Sequence, residues 1–420
     1  MPDGVLLEIA RQFGTPCYVY FPDRALARIQ EIRARFQNLV GVSYAVKANP
    51  NRALLRRLQP AVDHLDVSSG GEILVAREAG FDPAHFTFVG PAKTDWELRL
   101  ALEVGCGRIV VESVAEMERL NALTAERGGT CAVILRINPT DLPQGYEVSM
   151  SMRATPFGID EENLDEALES LKTLRSLSFH GFHIYAGAQC LKNESIVENI
   201  ENCARIFREF SERHSLQPRN LIFGSGFGIP YHERDEPIDL AMIAERTLPI
   251  FQSLRNNART SDAELSLELG RWLVGEAGCY LSSVVRVKTS RGARIAILDG
   301  GMSQHLAASG NLGGVAKRNY PIFRVTPERE GDPNQAWDLS GCLCTNNDSL
   351  GEAVQLGSLE PGDVIGVASS GAYGLSFSPV HFTTHPPPWE IFVEEIEGRT
   401  VFTDATREGT VVRPPVWPNH

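Results

Sequence analysis

The stretch VSYAVKANP, residues 42–50, is an apolar, β-branched run that ends on a lysine and then breaks at Asn49-Pro50. A short run of this kind, closed by a turn signal, reads as a buried strand with Lys47 at its carboxyl end. From this stretch alone Lys47 is either a rim residue reaching to solvent or an amine made nucleophilic by a lowered pKa in a partly dry pocket. Other parts of the chain decide between the two.

Outward from this strand, short β-branched runs followed by amphipathic Ala/Leu/Glu/Arg-rich stretches recur, beginning near Val42, His64, Phe86, Arg108, Cys131, Ser178, Leu221 and Glu264. Eight such units in series predict a (β/α)8 barrel, a fold of roughly 250 residues, here over residues 23–275. A chain of 420 residues exceeds what one core organises, so a second domain is expected. After residue 278 strand runs continue without helical partners, through CYLSSVVRVKT, RIAILD, AWDLSGCLC, DVIGVASS, WEIFVEE and TVFT. The second domain is therefore read as mostly β, built from 276–420 and joined by 1–22 through the early strand CYVY (17–20).

A net charge of −13 argues against general affinity for nucleic acid or anionic membrane. The first residues, MPDGVLLEIARQFG, lack the pattern of a signal peptide, and no apolar run is long enough for a membrane span; a cytoplasmic protein is expected. The eight cysteines are scattered and read as buried free thiols; Cys342 and Cys344 form the one close pair, without companions for a metal site.

Active residues on such barrels sit at the carboxyl ends of the strands. The seventh strand ends in FGSGFGIPY, whose Gly224, Ser225 and Gly226 can close backbone amides around an anion, or can mark a bulge. The eighth, LSLELGRWL, buries Glu268, as a partner for Arg271 or as counter-ion to a cationic ring nitrogen. The sixth, GFHIYAGAQ, puts His183 and Tyr185 on one face, as core filling or as site residues. A lysine, an anion loop and a lone carboxylate on one barrel mouth together suit pyridoxal phosphate.

YAVKANP, HIYAGAQ, GSGFGIPY, ELGR, CLCTNND and SGAYG follow the order of motifs in the fold-type III pyridoxal-phosphate decarboxylases, the diaminopimelate and ornithine decarboxylase family, which this chain resembles over nearly its whole length. GAYGLSFSPVHF and HPPPWEI are similar to a subgroup in natural-product pathways, the butirosin-type glutamyl-carrier-protein decarboxylases. The resemblance implies an alanine-racemase-like barrel, a homodimer with shared active sites and a decarboxylation. Lys47 would hold the cofactor, Glu268 would pair with its ring nitrogen, and Gly224, Ser225, Gly226, Arg271 and Tyr373 would take the phosphate. Cys344 matches the cysteine that reprotonates the α-carbon across the dimer, and Asp348 closes the same motif as a substrate contact.

Three positions depart from the family pattern. Tyr185 stands where a histidine usually stacks on the cofactor ring, with His183 two residues earlier, and Ala188 replaces a phosphate-binding serine. Thr345 replaces the carboxylate that contacts a distal amine of the substrate. A longer segment, 301–321, supplies Arg318 and Tyr320 as further substrate candidates. These departures favour a derivatised amino acid, tethered to an acyl carrier protein or conjugated to citrate in a siderophore pathway. Diaminopimelate decarboxylase, an amino-acid racemase and a non-catalytic pyridoxal-phosphate carrier are the alternatives.

Overall fold

The computed structural model describes residues 3–141, 143–149, 154–310, 318–329 and 334–409. A helix, Asp3–Phe13, leads into β1 (Cys17–Tyr20), and the helix Pro22–Arg35 leads into β2 (Gly41–Ala45). Then come β3 (His64–Val67), β4 (Phe86–Phe88), β5 (Arg108–Val111) and β6 (Cys131–Asn138). Two short strands follow, β7 (Tyr146–Ser149) and β8 (Ile159–Asp160), before β9 (Leu177–Tyr185), β10 (Gly187–Cys190), β11 (Asn220–Gly224) and β12 (Glu264–Leu269). The parallel order β5-β4-β3-β2-β12-β11-β9-β6 closes through the β5–β6 pairing. The expected eight-stranded barrel is present, each strand within one residue of its expected start.

Helices begin where the sequence supplies caps. Ser69 and Ser113 accept hydrogen bonds from the amides of Glu72 and Glu116, each at 3.1 Å, opening the helices Gly70–Glu78 and Val114–Arg127.

Period-two alternation sorts the strand side chains. Outward positions such as Val42, Tyr44, Leu65, Val67, Phe182, Phe223 and Leu267 pack under the helices in one large core. A run of phenylalanines crosses it, with ring centroids 5.1 Å apart for Phe207–Phe223 and 5.2 Å for Phe223–Phe251. Inward positions form layers. At the floor His64 Nε2 meets Glu264 Oε1 at 2.5 Å, Arg108 bonds to His64 Nδ1, and Asn220 Nδ2 donates to Glu264 Oε2 at 3.1 Å. Above lies a small apolar layer of Val89, Val110, Ile134 and Ile222. At the carboxyl ends the interior turns ionic again, with Lys47–Asp66, Arg136–Glu112 and His183–Glu268.

The remaining strands are β13 (Gly278–Ser290), β14 (Ala293–Leu298), β15 (Ile322–Arg324), β16 (Ala336–Ser340), β17 (Ser349–Gln355), β18 (Val364–Val367), β19 (Trp389–Ile396) and β20 (Arg399–Asp404). They form a second sheet in the order β17-β16-β14-β13-β1-β19-β20, with β18 on β13 and β15 on β18. The early strand joins it as expected: β1 lies antiparallel to β13 and parallel to β19. Two backbone-directed asparagines fasten the sheets together beside Lys47. Asn49 Nδ2 donates to Gly371 O at 3.0 Å, and Asn51 Nδ2 to Ala405 O at 3.2 Å.

Several short elements were not expected from the sequence, among them one that borders the glycine loop. β7 and β10 pair into a small antiparallel ribbon that extends the loops after β6 and β9. Its seat is the glycine loop: Gly226 has φ +64°, and a Cβ there would lie 2.4 Å from the Tyr146 ring.

All eight cysteines are free. No helix among the described residues is long and apolar enough to cross a membrane. Of the 301–321 segment, residues 311–317 lie outside the described residues.

Phe223→Ala should lower unfolding free energy by about 3–5 kcal/mol, the cost of deleting a buried aromatic ring. Guanidinium unfolding checks this, and a loss under ~1 kcal/mol would show that the phenylalanine run is not a main support of the barrel.

Candidate active site

The ionic layer opens at the barrel mouth into a cavity. Its wall includes Lys47 and Asp66, then Tyr185 and Ala188, then Ser225 and Gly226, then Glu268, Arg271 and Tyr373. Five barrel strand ends (β2, β3, β9, β11 and β12) and one segment of the second domain thus converge on one space.

Lys47 Nζ lies 2.9 Å from Asp66 Oδ2 and 5.9 Å from the Tyr185 ring centroid. Burial works against the ammonium ion, but Asp66, with Tyr373, Tyr185 and Glu268 behind it, outweighs burial and holds the Lys47 pKa above the ordinary lysine value. This differs from the expectation of a lowered pKa: the Lys47 side chain is only partly buried and lies against the buried Asp66 carboxyl group, whose own pKa burial raises. Asp66 was absent from the sequence reading. Its signal was the same as that of Glu268, a carboxylate inside an apolar run, HLDV.

Glu268 is buried, and burial raises its pKa, yet His183 and Lys47 more than offset this and keep it below the usual carboxylate range. His183 Nε2 approaches Glu268 Oε2 at 3.0 Å, and His183 is not part of the cavity wall. Tyr185 is. Of the two residues weighed for the cofactor face, the structure brings Tyr185 to the cavity and sets His183 behind Glu268.

The glycine loop borders the other side. Gly224 packs against Tyr185, so that a Cβ would fall 2.5 Å from its ring, and Ser225 Oγ donates to Glu268 O at 2.7 Å. Arg271 Nη1 donates to the Tyr231 hydroxyl at 2.8 Å, and its guanidinium lies 4.6 Å from the Tyr373 ring centroid. Tyr373 N donates to Ala48 O at 2.8 Å, which ties its backbone to the turn after Lys47.

The substrate candidates lie elsewhere. Arg318 is exposed, and the Tyr320 ring packs, tilted, 4.5 Å from that of Tyr231, the partner of Arg271. Cys344 is exposed and Thr345 half-buried in the 341–348 loop, which does not line this chain's cavity. Asp348 lies in the same loop. Its carboxylate is buried and accepts from Met302 N at 2.6 Å and Leu343 N at 2.8 Å, contacts that shape the cysteine loop.

Two carboxylate oxygens of the cavity wall, Asp66 Oδ1 and Glu268 Oε1, are buried without a hydrogen-bond partner. A buried carboxylate oxygen without a partner is costly, and a cationic group in the cavity would satisfy it. With Arg271 and the glycine loop opposite, the donor set fits a ring that is cationic at one end and anionic at the other.

Residues 24–275 match the family model of the pyridoxal-dependent decarboxylase pyridoxal binding domain. The chain belongs to this family. Among curated proteins it is 34% identical over 389 residues to the L-glutamyl-[BtrI acyl-carrier protein] decarboxylase of Niallia circulans, covering 92% of this chain and 90% of that protein. It is 31% identical to the 2-[(L-alanin-3-ylcarbamoyl)methyl]-2-hydroxybutanedioate decarboxylase of Staphylococcus aureus, covering 93% and 97%. The solved diaminopimelate decarboxylase of Helicobacter pylori, complexed with L-lysine, superposes with a TM-score of 0.84 at 27% identity, covering 95% of each chain. The protein is a pyridoxal-phosphate-dependent amino-acid decarboxylase.

Lys47→Ala should remove the visible absorbance of lysine-bound cofactor and nearly all turnover. Glu268→Gln should retain the cofactor while carbon dioxide release falls by about 10²- to 10⁴-fold. Full activity in either variant would displace that residue from the site.

Proposed function

We propose that this decarboxylase acts on a derivatised amino acid whose distal end is not a free amine, either tethered to an acyl carrier protein or conjugated to a citrate-like acid, in a natural-product or siderophore pathway. The observation that carries the reading is Thr345: the residue after Cys344 offers a hydroxyl where a carboxylate would be needed to pair with a distal ammonium. The names of the Niallia and Staphylococcus relatives support it, since one acts on a carrier-bound glutamyl group and the other on a citrate-like conjugate.

In this reading Lys47 holds the cofactor and exchanges Asp66 for it as its nearest polar partner. Bound pyridoxal phosphate supplies the electron sink for the α-carbon once carbon dioxide has left. Glu268, kept ionised by His183, holds the proton on the ring nitrogen. Tyr185 covers one ring face, and Arg271, Tyr373 and the 224–226 loop retain the phosphate. Cys344, exposed in one chain, reaches the site of a partner copy and protonates the α-carbon; the working unit is a homodimer, placed in the cytoplasm.

Diaminopimelate decarboxylation is the second reading, supported by the many relatives of that name, including one from Zymomonas mobilis at 31% identity. Carbon dioxide release from free diaminopimelate, set beside an amide- or thioester-capped amino acid, separates the two. A charge-assisted hydrogen bond of about 1.5–3 kcal/mol is missing for the free diamine, so Thr345→Glu should raise its kcat/KM by about 10- to 100-fold. Efficient turnover of free diaminopimelate by the unaltered protein would sink the proposal.

A further inference from the structure

A second cavity lies back to back with the first. Its volume is about 420 Å³, within the range of small-molecule sites, about 300–1,000 Å³. One wall is the turn that follows Lys47, Ala48 to Asn51; another is the segment that follows Tyr373, including Leu375 and Val380. Two hydrogen bonds separate it from the cofactor side: Tyr373 N to Ala48 O at 2.8 Å, and Asn49 Nδ2 to Gly371 O at 3.0 Å.

Most of the lining is apolar, with Pro387 and Pro388 completing the wall made by Leu375 and Val380. Into this space β19 brings the carboxyl group of Glu390, a residue only 3% exposed. The Tyr20 hydroxyl donates to Glu390 Oε1 at 3.2 Å, and Asn51 is a second polar neighbour. Burial, with Asp404 nearby, pushes its pKa up to about 7. Among the described residues no ion pair to it is seen, and His381 also lines the cavity. A buried carboxyl group is costly unless hydrogen bonds or a counter-charge meet it; Tyr20 and Asn51 supply hydrogen bonds, the Gly409 backbone packs against Oε2, and the residue is part of the cavity wall.

We propose that this cavity is a second ligand site, which takes a primary aliphatic ammonium ion, its nitrogen on Glu390 and its hydrocarbon body against Leu375, Val380 and the two prolines. Decarboxylated amino acids are primary amines, so the site can read the product of the reaction; that assignment rests on the proposed function. The shared wall gives the coupling. A ligand that shifts the 48–51 turn or the 371–375 segment also shifts Lys47 and Tyr373, and the effect is reciprocal between the two sites.

The test uses hexan-1-amine and calorimetry on holoenzyme whose Lys47–cofactor bond has been reduced with borohydride, so that the amine cannot exchange there. One amine should bind per chain, with hexan-1-ol at least about tenfold weaker because it lacks the charge-assisted hydrogen bond. Glu390→Gln should weaken the amine by a similar factor. Val380→Trp, which fills the cavity and leaves Glu390 in place, should abolish binding, and retained cofactor absorbance shows that each variant is folded. Equal binding of the alcohol, undiminished binding to either variant, or no binding to the unaltered protein overturns the proposal. If Glu390-dependent binding is found but the protein releases no carbon dioxide from any amino acid, the site stands and only its assignment to product falls.

Discussion

Inside a closed barrel of parallel strands, every second side chain points into a space that water does not fill, so each charge placed there needs a partner on a neighbouring strand. The protein meets that constraint twice. At the floor, His64, Arg108, Asn220 and Glu264 bond to one another, although Arg108 Nε is left without a partner. At the carboxyl ends, Lys47–Asp66, His183–Glu268 and Arg136–Glu112 form a second ionic layer, and the apolar side chains of Val110, Ile134 and Ile222 separate the two. The upper layer alone keeps oxygens without partners on the cavity side, on Asp66 and Glu268. A pocket built with spare negative charge suits a cationic cofactor ring and a lysine that must leave one partner for another.

The second sheet contributes as a wall and as a lever. Asn49 and Asn51, both buried, carry hydrogen bonds from the turn after Lys47 to Gly371 and Ala405. Tyr373 therefore cannot move independently of the lysine turn. The same contacts enclose the Glu390 cavity, which makes that cavity a neighbour of the chemistry even though it shares no side chain with it.

Much of this was legible from residue patterns. The eight strands fall where β-branched runs begin, because outward strand faces must be apolar to pack under helices. Lys47, Glu268, Arg271 and Tyr373 could be nominated because each stands in a short motif, and all four meet at one cavity. Asp66 escaped although HLDV carries a buried-carboxylate signal like that of LSLEL. Nothing local says that Asp66 pairs in register with Ala45, two residues before the lysine. For Asp348 the motif suggested a substrate contact, but not that its oxygens accept from the amides of Met302 and Leu343.

The alternation of apolar and polar positions, the number of βα units and the kinds of residue able to hold a phosphorylated pyridine can all be read along the chain, because periodicity and side-chain chemistry are local properties. Which charges become neighbours depends on how the strands and sheets assemble. That assembly set Asp66 against Lys47 and so raised a pKa that burial alone would lower; it put Tyr185 on the cavity and His183 behind Glu268; and it left Cys344 outside this chain's own site. Those outcomes depend on strand register and on the docking of two sheets, where electrostatic energy is set by distances of a few ångströms between residues far apart in the chain.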